Sequence, residues 1–564
     1  MAALREKHRA IPAGQVDRQT LNIGTNWDRV EGRLRAWRSE KFAHRLWAKD
    51  PTLWSSEPVP ELADRLGWLI LPEAMYEQLD DLTAFGETAK AEGVCHVVLL
   101  GMGGSSLTPE VFQRIFGNAP RHPELIVLDS THPAAVRAVE ARIDLRHTLF
   151  LVSSKSGTTV ETLSFFRYFW RQVSQAIDTP GRHFVAITDP GTPLEQLARE
   201  RDFRRTFQAP PNVGGRYSAL TVFGLVPAVL IGMDVRGLLD RARTMAEVCA
   251  PCVPEPENPS IALGAALGEL ALAGRDKVTF LTSRSLEAFP AWLEQLIAES
   301  TGKDGKGIVP VAHEPLGSLE VYGEDRFFVH LYLEGDEDVG AEASGHPAAH
   351  IRLREKADIG QEIFRWEVAV AAAGAVLGVH PFNQPDVQLA KELARRAMER
   401  GSEGVEEGRD EGPEMASATR PEELAQAIGS WLAQARAGDY VALQAYLAPT
   451  PETTAILQEV RLVLRDRLRL ATTLGYGPRF LHSTGQLHKG GPDTGLFLQL
   501  VDEPADDLPV PETSYTFGAL IRAQALGDYQ ALKRLGRRVL RVYTGVDSAR
   551  GLEQLAKALC RVLC

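Results

Sequence analysis

Ser153-Ser-Lys-Ser-Gly-Thr-Thr159 gathers five hydroxyls and a lysine around one glycine. The segment follows the apolar run TLFLV and precedes ETLSFFRYFW, which has helical periodicity. Backbone N–H groups, hydroxyl donors and a helix dipole would converge there on an anion. A Walker A loop needs GxxxxGK followed by Ser or Thr, so a phosphate monoester suits this order better than a nucleotide. The plainer alternative is a helix cap, but one hydroxyl would suffice for that.

Four other segments carry reactive types. Gly101-Met-Gly-Gly-Ser-Ser106 follows the run VVLL. Its glycines allow a sharp turn and close backbone approach, and Ser105 offers a hydroxyl where a helix would begin. Any strand-to-helix turn of a parallel sheet looks similar. In Asn212-Val-Gly-Gly-Arg-Tyr-Ser-Ala-Leu-Thr221, Arg216 follows two glycines and could meet developing negative charge, or form a structural ion pair. Ala298-Glu-Ser-Thr-Gly-Lys-Asp-Gly-Lys306 puts Glu299 at the end of the helical stretch FPAWLEQLIAES, beside a Gly-rich loop. A carboxylate there is a candidate general base, although an exposed Glu reads the same way. Last, Gly374-Ala-Val-Leu-Gly-Val-His-Pro-Phe-Asn-Gln-Pro-Asp-Val-Gln-Leu-Ala-Lys391 spaces Gln384 and Lys391 seven residues apart. That spacing is two turns of one face if the helix is continuous; taken alone, Lys391 would be a solvated lysine.

The elements around these residues repeat. Short β-rich runs at His96–Leu100, Leu125–Leu128, Thr148–Val152 and His183–Ile187 alternate with longer helical stretches. A second series runs through Lys277–Leu281, Gly307–Val311, Phe327–Leu333 and Ala348–Leu353. Runs of four or five apolar residues suit strands buried on both faces. The fold class is therefore α/β, with two doubly wound parallel-sheet domains at 51–245 and 255–400. A helical arm (1–50) precedes them, and the four prolines of Met245–Pro259 mark the linker. The acidic, Gly-rich stretch 401–421 separates a C-terminal α/β unit, 420–564. In that unit Pro421–Leu447 and Pro451–Leu474 read as helical, with strands near Gly495–Val501 and Arg538–Tyr543.

Composition narrows the classes. Among 564 residues, 62 Lys plus Arg against 74 Asp plus Glu leave a net charge of −12, which disfavours nucleic-acid binding. The longest apolar stretch, Leu220 to Met233, is shorter than the ~20 residues of a membrane span and contains Pro227. The opening MAALREKHRA lacks a signal-peptide core. Five cysteines make no disulfide framework, and Cys249-Ala-Pro-Cys252 has no second pair or nearby His for zinc. A cytoplasmic protein without metal or cofactor is expected.

Together the five segments closely resemble the glucose-6-phosphate isomerase family, built from two sugar-isomerase (SIS) domains, over about residues 95–395. GMGGSS resembles that family's first glycine motif, SSKSGTT its phosphate loop, and NVGGRYSALT one signature. GAVLGVHPFNQPDVQLAK is similar to the other signature but departs at Asp386, where Gly or Ala is usual. ESTGKDGKGIVPV and HSTGQLHKGG look like the isomerase half of bifunctional transaldolase/isomerase proteins, without enough chain before residue 90 for a transaldolase barrel.

The resemblance implies roles. Gly104, Ser105, Ser154, Ser156, Thr158 and Thr159 would hold the sugar phosphate, with Lys155 adjacent. Glu299 would move the proton between C2 and C1, Arg216 would stabilise the enediolate, Gln384 would position the sugar and Lys391 would assist ring opening. A homodimer with shared sites is implied, along with a ring-opening histidine from the neighbouring subunit. Gly360-Gln-Glu-Ile-Phe364 has Glu362 where a family His could stand, so His313, His330, His346 and His350 are the candidates. His346, in a Gly-flanked loop, is favoured over the packed His330. The segment His482-Ser-Thr-Gly-Gln-Leu-His-Lys-Gly-Gly491 is a structural loop or a lid supplying that group, with His482 and His488 less suited to metal. Rival readings are a wider aldose–ketose isomerase that also takes mannose 6-phosphate, or a sensor binding sugar phosphate without turnover.

Overall fold

The computed structural model describes residues 18–337, 345–402 and 415–563. Three five-stranded sheets organise them. The first is wholly parallel, in the spatial order Glu124–Leu128, His96–Gly101, Thr148–Ser153, Phe184–Thr188 and Arg205–Gln208. Its order reverses direction between His96–Gly101 and Thr148–Ser153. In open α/β sheets, ligands bind beyond the carboxyl ends of strands at such a switch point. GMGGSS and SSKSGTT follow these two neighbouring strands.

The second sheet runs Arg18–Asn22, Ala348–Leu353, Arg326–Leu333, Lys277–Thr282 and Val309–Val311. Four strands are parallel as expected, but Arg18–Asn22 adds an antiparallel edge. The N-terminal arm is therefore not purely helical. Its alternating RQTLN buries Gln19 and Leu21, and Gln19 reaches the Arg365 guanidinium at 2.8 Å. Helices Trp27–Glu40 and Phe42–Trp47 follow. One continuous apolar core joins the arm to the helices of the first two sheets, with Trp68, Trp292 and Trp366 fully buried. The proposed linker is shorter than its prolines suggested, because the helix Val235–Val248 takes its first residues and the next helix starts at Pro259.

The third sheet is also parallel: Met415–Ser417, Arg538–Tyr543, Gly495–Val501, Tyr440–Tyr446 and Ala471–Tyr476. Two of its strands were expected to be helical. YVALQAY carries Ala, Leu and Gln, good helix formers, yet all seven residues are buried in a central strand. The helices around them end earlier, at Leu432 and Leu468. Among the described residues no helix is long and apolar enough to cross a membrane.

This sheet is bolted to the second one. Buried Arg461 donates to the carbonyls of Ala312 and His313 at 2.8 Å and to Thr472 O at 2.5 Å. Burial lowers its pKa to about 10. Glu314 pairs with Arg326 at 3.0 Å and accepts from Thr472 N at 2.9 Å, both carboxylate and guanidinium being fully buried. Arg461→Met would strand several buried carbonyls, each costing about 1–3 kcal/mol. Urea unfolding should show a lower midpoint by the equivalent of about 3 kcal/mol; an unchanged midpoint would contradict this docking.

Candidate active site

At the switch point, the 153–159 loop keeps its hydroxyls out of the helix behind it. Thr159 precedes the helix Val160–Ala176 but makes no side-chain bond to its first amides. Instead Ser154 Oγ lies 2.9 Å from Thr159 Oγ1, and Ser156 Oγ 2.9 Å from Thr158 Oγ1. Ser156 and Thr158 are exposed to solvent in part or whole. Gly157 has φ +67°, and a Cβ there would come within 2.8 Å of Leu194 N, so only glycine fits. Lys155 is engaged elsewhere, in an ion pair with Asp189. Burial lowers the lysine and raises the aspartate, outweighing their mutual attraction.

The two glycine segments meet. A Cβ on Gly104 would lie 2.1 Å from Gly215 O, so this glycine lets the GMGGSS turn seat against the turn Gly215–Tyr217. Tyr217 packs between Trp68 and Phe382, with ring centroids at 5.1 and 5.3 Å. Arg216 is thereby fixed, only 2% exposed. Its Nη1 donates to Glu299 Oε2 at 2.7 Å and to Gln384 Oε1 at 2.9 Å; Nη2 donates to Asn383 O at 2.8 Å.

Glu299 lies two residues before the C-terminus of the helix Pro290–Thr301. A carboxylate is disfavoured at that end of a helix dipole and again by burial. The Arg216 cation offsets both. The pair places a carboxylate and a cation side by side, with Gln384 exposed at the rim.

Gln384 and Lys391 do not share a continuous helix. A 3₁₀ turn, Pro385–Val387, separates Gln384 from the helix Gln388–Ser402 that carries Lys391. Lys391 is exposed, and its charge acts on Glu161. Glu161 is buried in the first turn after the 153–159 loop and accepts from His482 Nε2 at 3.1 Å and Gln524 Nε2 at 2.7 Å. Burial opposes its ionisation, but the charge of His482 and its hydrogen bond prevail and hold the carboxyl below its ordinary value. His482 belongs to the C-terminal unit. Its carbonyl accepts from Gln295 at 2.8 Å, and a Cβ on Gly103 would lie 2.8 Å from it.

The other histidines sit differently. His346 is half-buried, with Phe328 and Tyr322 as ring neighbours at 5.3 and 6.2 Å and not the Arg216–Glu299 pair. Within the chain it is not brought to this site. His313 is exposed, and His330 Nδ1 lies 3.3 Å from His350 Nδ1 between neighbouring strands. His488 does not join His482: it packs among Phe480, Tyr440 and Phe497, and burial pushes it far below its usual value. Glu362 is buried against Arg365 at 2.9 Å, inside the helix Ile359–Leu377. Among the described residues no group of three or more His, Cys, Asp or Glu is placed to hold a metal.

Sequence reasoning passed over Glu161, Gln295, Lys303 and Gln486. For Glu161 a signal was present, since one carboxylate interrupts an otherwise apolar or hydroxyl-bearing face in VETLSFF. Lys303 lies beside the pair, buried, with its ammonium donating to His380 O; desolvation and then the Arg216 charge hold it well below the ordinary lysine range.

Known proteins resemble this chain in sequence and in fold. The model of the phosphoglucose isomerase family matches residues 73–322. A glucose-6-phosphate isomerase of Rubrobacter xylanophilus is 29% identical over 435 residues, covering 65% of this chain and 95% of that one. One from Thermosynechococcus vestitus is 34% identical over 292 residues, 50% and 53% of the two chains. A solved structure of a hypothetical protein from Thermus thermophilus superposes with a TM-score of 0.57 at 26% identity, over 67% of this chain and 99% of that one. The glucose-6-phosphate isomerase structure from Chlamydia trachomatis, at 20% identity and a TM-score of 0.50, shares the fold over 64% of this chain and 79% of its own. The phosphoglucose isomerase match takes in GMGGSS, the switch-point loop SSKSGTT, NVGGRYSALT and the segment of Glu299, and the chain is similar to that family across them.

Proposed function

We propose that the chain interconverts glucose 6-phosphate and fructose 6-phosphate through a cis-enediolate, with Glu299 as the base and no metal. The observation that carries this reading is the Arg216 guanidinium bridging Glu299 at 2.7 Å and Gln384 at 2.9 Å. With the sugar ring open, Glu299 takes the proton from C2. The C2–H electrons form the C1–C2 double bond, and the aldehyde oxygen gains the negative charge. Arg216 stabilises that charge. The O2 proton passes to O1, which becomes the C1 hydroxyl, as Glu299 returns the carbon-bound proton to C1 and a ketone is left at C2. Ser105, Ser154, Ser156, Thr158 and Thr159 hold the phosphate at the other end.

Ring opening needs a proton shuttle near neutral pH. His482 is the better placed histidine. Glu161 engages its Nε2, which leaves the other ring nitrogen for the sugar, and Lys391 lies near the same carboxylate. The homodimer and cytoplasmic location implied by the resemblance belong to this proposal. In that dimer, His346 is the residue that would have to reach a neighbour's site.

Three outcomes test the reading. Glu299→Gln should lose about 10²–10⁴-fold in turnover while keeping affinity for a non-reactive sugar phosphate; a variant with half the wild-type rate would sink the assignment. Calorimetry on Ser156→Ala with Thr159→Ala should show weaker binding, since each hydrogen bond to a charged group contributes about 1.5–3 kcal/mol. Unchanged affinity would make the loop a helix cap. Finally, His482→Ala should slow conversion of the ring-closed sugar far more than proton exchange on an open-chain substrate. If His346→Ala shows that pattern and His482→Ala does not, the group comes across a subunit interface.

A further inference from the structure

We infer that Gln486, in the C-terminal unit, is a positioning residue of the isomerase site; this rests on the function proposed above. Its amide ties together the two segments that carry the base and the partners of its cation.

Asn383 O and Gln384 Oε1 hold Arg216, but both belong to an irregular connection between the helices Ile359–Leu377 and Gln388–Ser402. Such a stretch has few backbone bonds of its own, so side chains from elsewhere must fix it. Lys303 holds its start, at His380 O. Gln486 holds its end: Oε1 accepts from Asp386 N at 3.0 Å, and Nε2 donates to Asp386 Oδ2. The same Nε2 donates to Gly302 O at 2.9 Å. Gly302 is three residues beyond Glu299, and Asp386 two beyond Gln384. One fully buried amide therefore links the end of the base's helix to the segment that anchors the cation.

The surroundings are shaped for this contact. A Cβ on Gly490 would lie 2.2 Å from Asp386 Oδ2, so glycine there leaves room for the carboxylate. Leu487 fills the space left by Gly302 and Gly307, where a Cβ would meet it at 2.5 and 2.7 Å. Gly305 N donates to Gly490 O at 2.9 Å. Asp386 is also where this chain departs from the signature it resembles. The added carboxylate is answered by Gln486, on a helix that the third sheet carries.

The test uses the full chain and steady-state conversion of fructose 6-phosphate, with affinity for a hexitol 6-phosphate measured in parallel. Gln486→Glu keeps the acceptor for Asp386 N but sets a second carboxylate against Asp386. At pH ~7.5 kcat should fall by about tenfold or more, because small misplacements of catalytic groups cost up to about 10²-fold. Hexitol phosphate affinity should stay within about twofold, since the phosphate loop is untouched. Two carboxylates sharing one site raise a pKa, so the variant should recover relative to wild type as pH falls. Adding Asp386→Asn should restore kcat to within about threefold, since the new amide donates to the new carboxylate. An unchanged kcat in Gln486→Glu, a loss the second substitution does not restore, or an equal loss of hexitol phosphate affinity would overturn the inference. A wild-type chain without turnover would instead overturn the isomerase reading beneath it.

Discussion

The buried guanidinium of Arg216 is the constraint on which this site depends. Glu299 sits at the unfavourable end of a helix dipole and is largely shut off from water. Without a cation it would face both penalties at once, and removing one partner of such a pair typically costs about 3–5 kcal/mol. Arg216 also gathers Asn383 O and Gln384, so one planar group sets the relation between three segments far apart in the chain. Its Nε remains buried without a hydrogen-bond partner among the described residues.

Close backbone approach and aromatic packing set the position from which Arg216 reaches these partners. Gly104 lets one turn lie on another, and Tyr217 anchors the second turn in a cluster of aromatic rings. The parallel order of the first sheet delivers the 153–159 loop to the adjoining strand end. The C-terminal unit closes the remaining side. His482 reaches Glu161, Arg479 pairs with Asp129 at 3.0 Å and also with Glu110, and His132 lies 3.3 Å from Asp502. These contacts bury charges from two sheets against each other, so the third sheet acts as a wall of the site.

Much of this was legible in the sequence, for physical reasons. Strands buried on both faces announce themselves as short apolar runs, and eight of those in the first two sheets were read that way. Glycine-rich turns and clustered hydroxyls are similarly visible because few other residues permit close backbone approach. The strand Tyr440–Tyr446 was missed because its helix-forming residues are overruled by burial on both faces of a sheet. The antiparallel edge Arg18–Asn22 was missed because a short strand paired with the distant Ala348–Arg352 leaves no local mark. Partners such as Gln486 and Gln295 were illegible for the same reason. A single polar residue declares its role only when folding brings its counterpart alongside.

The central claim is that Glu299, held by Arg216, takes a carbon-bound proton and returns it to the neighbouring carbon. Conversion of fructose 6-phosphate in D₂O, followed by NMR of the sugar carbons, tests this most directly. A carboxylate base exchanges part of its proton with solvent during the life of the enediolate, so deuterium should appear at C2 of the glucose 6-phosphate formed. Complete conversion with no deuterium on either C1 or C2 would indicate a direct hydride shift, and would contradict the account.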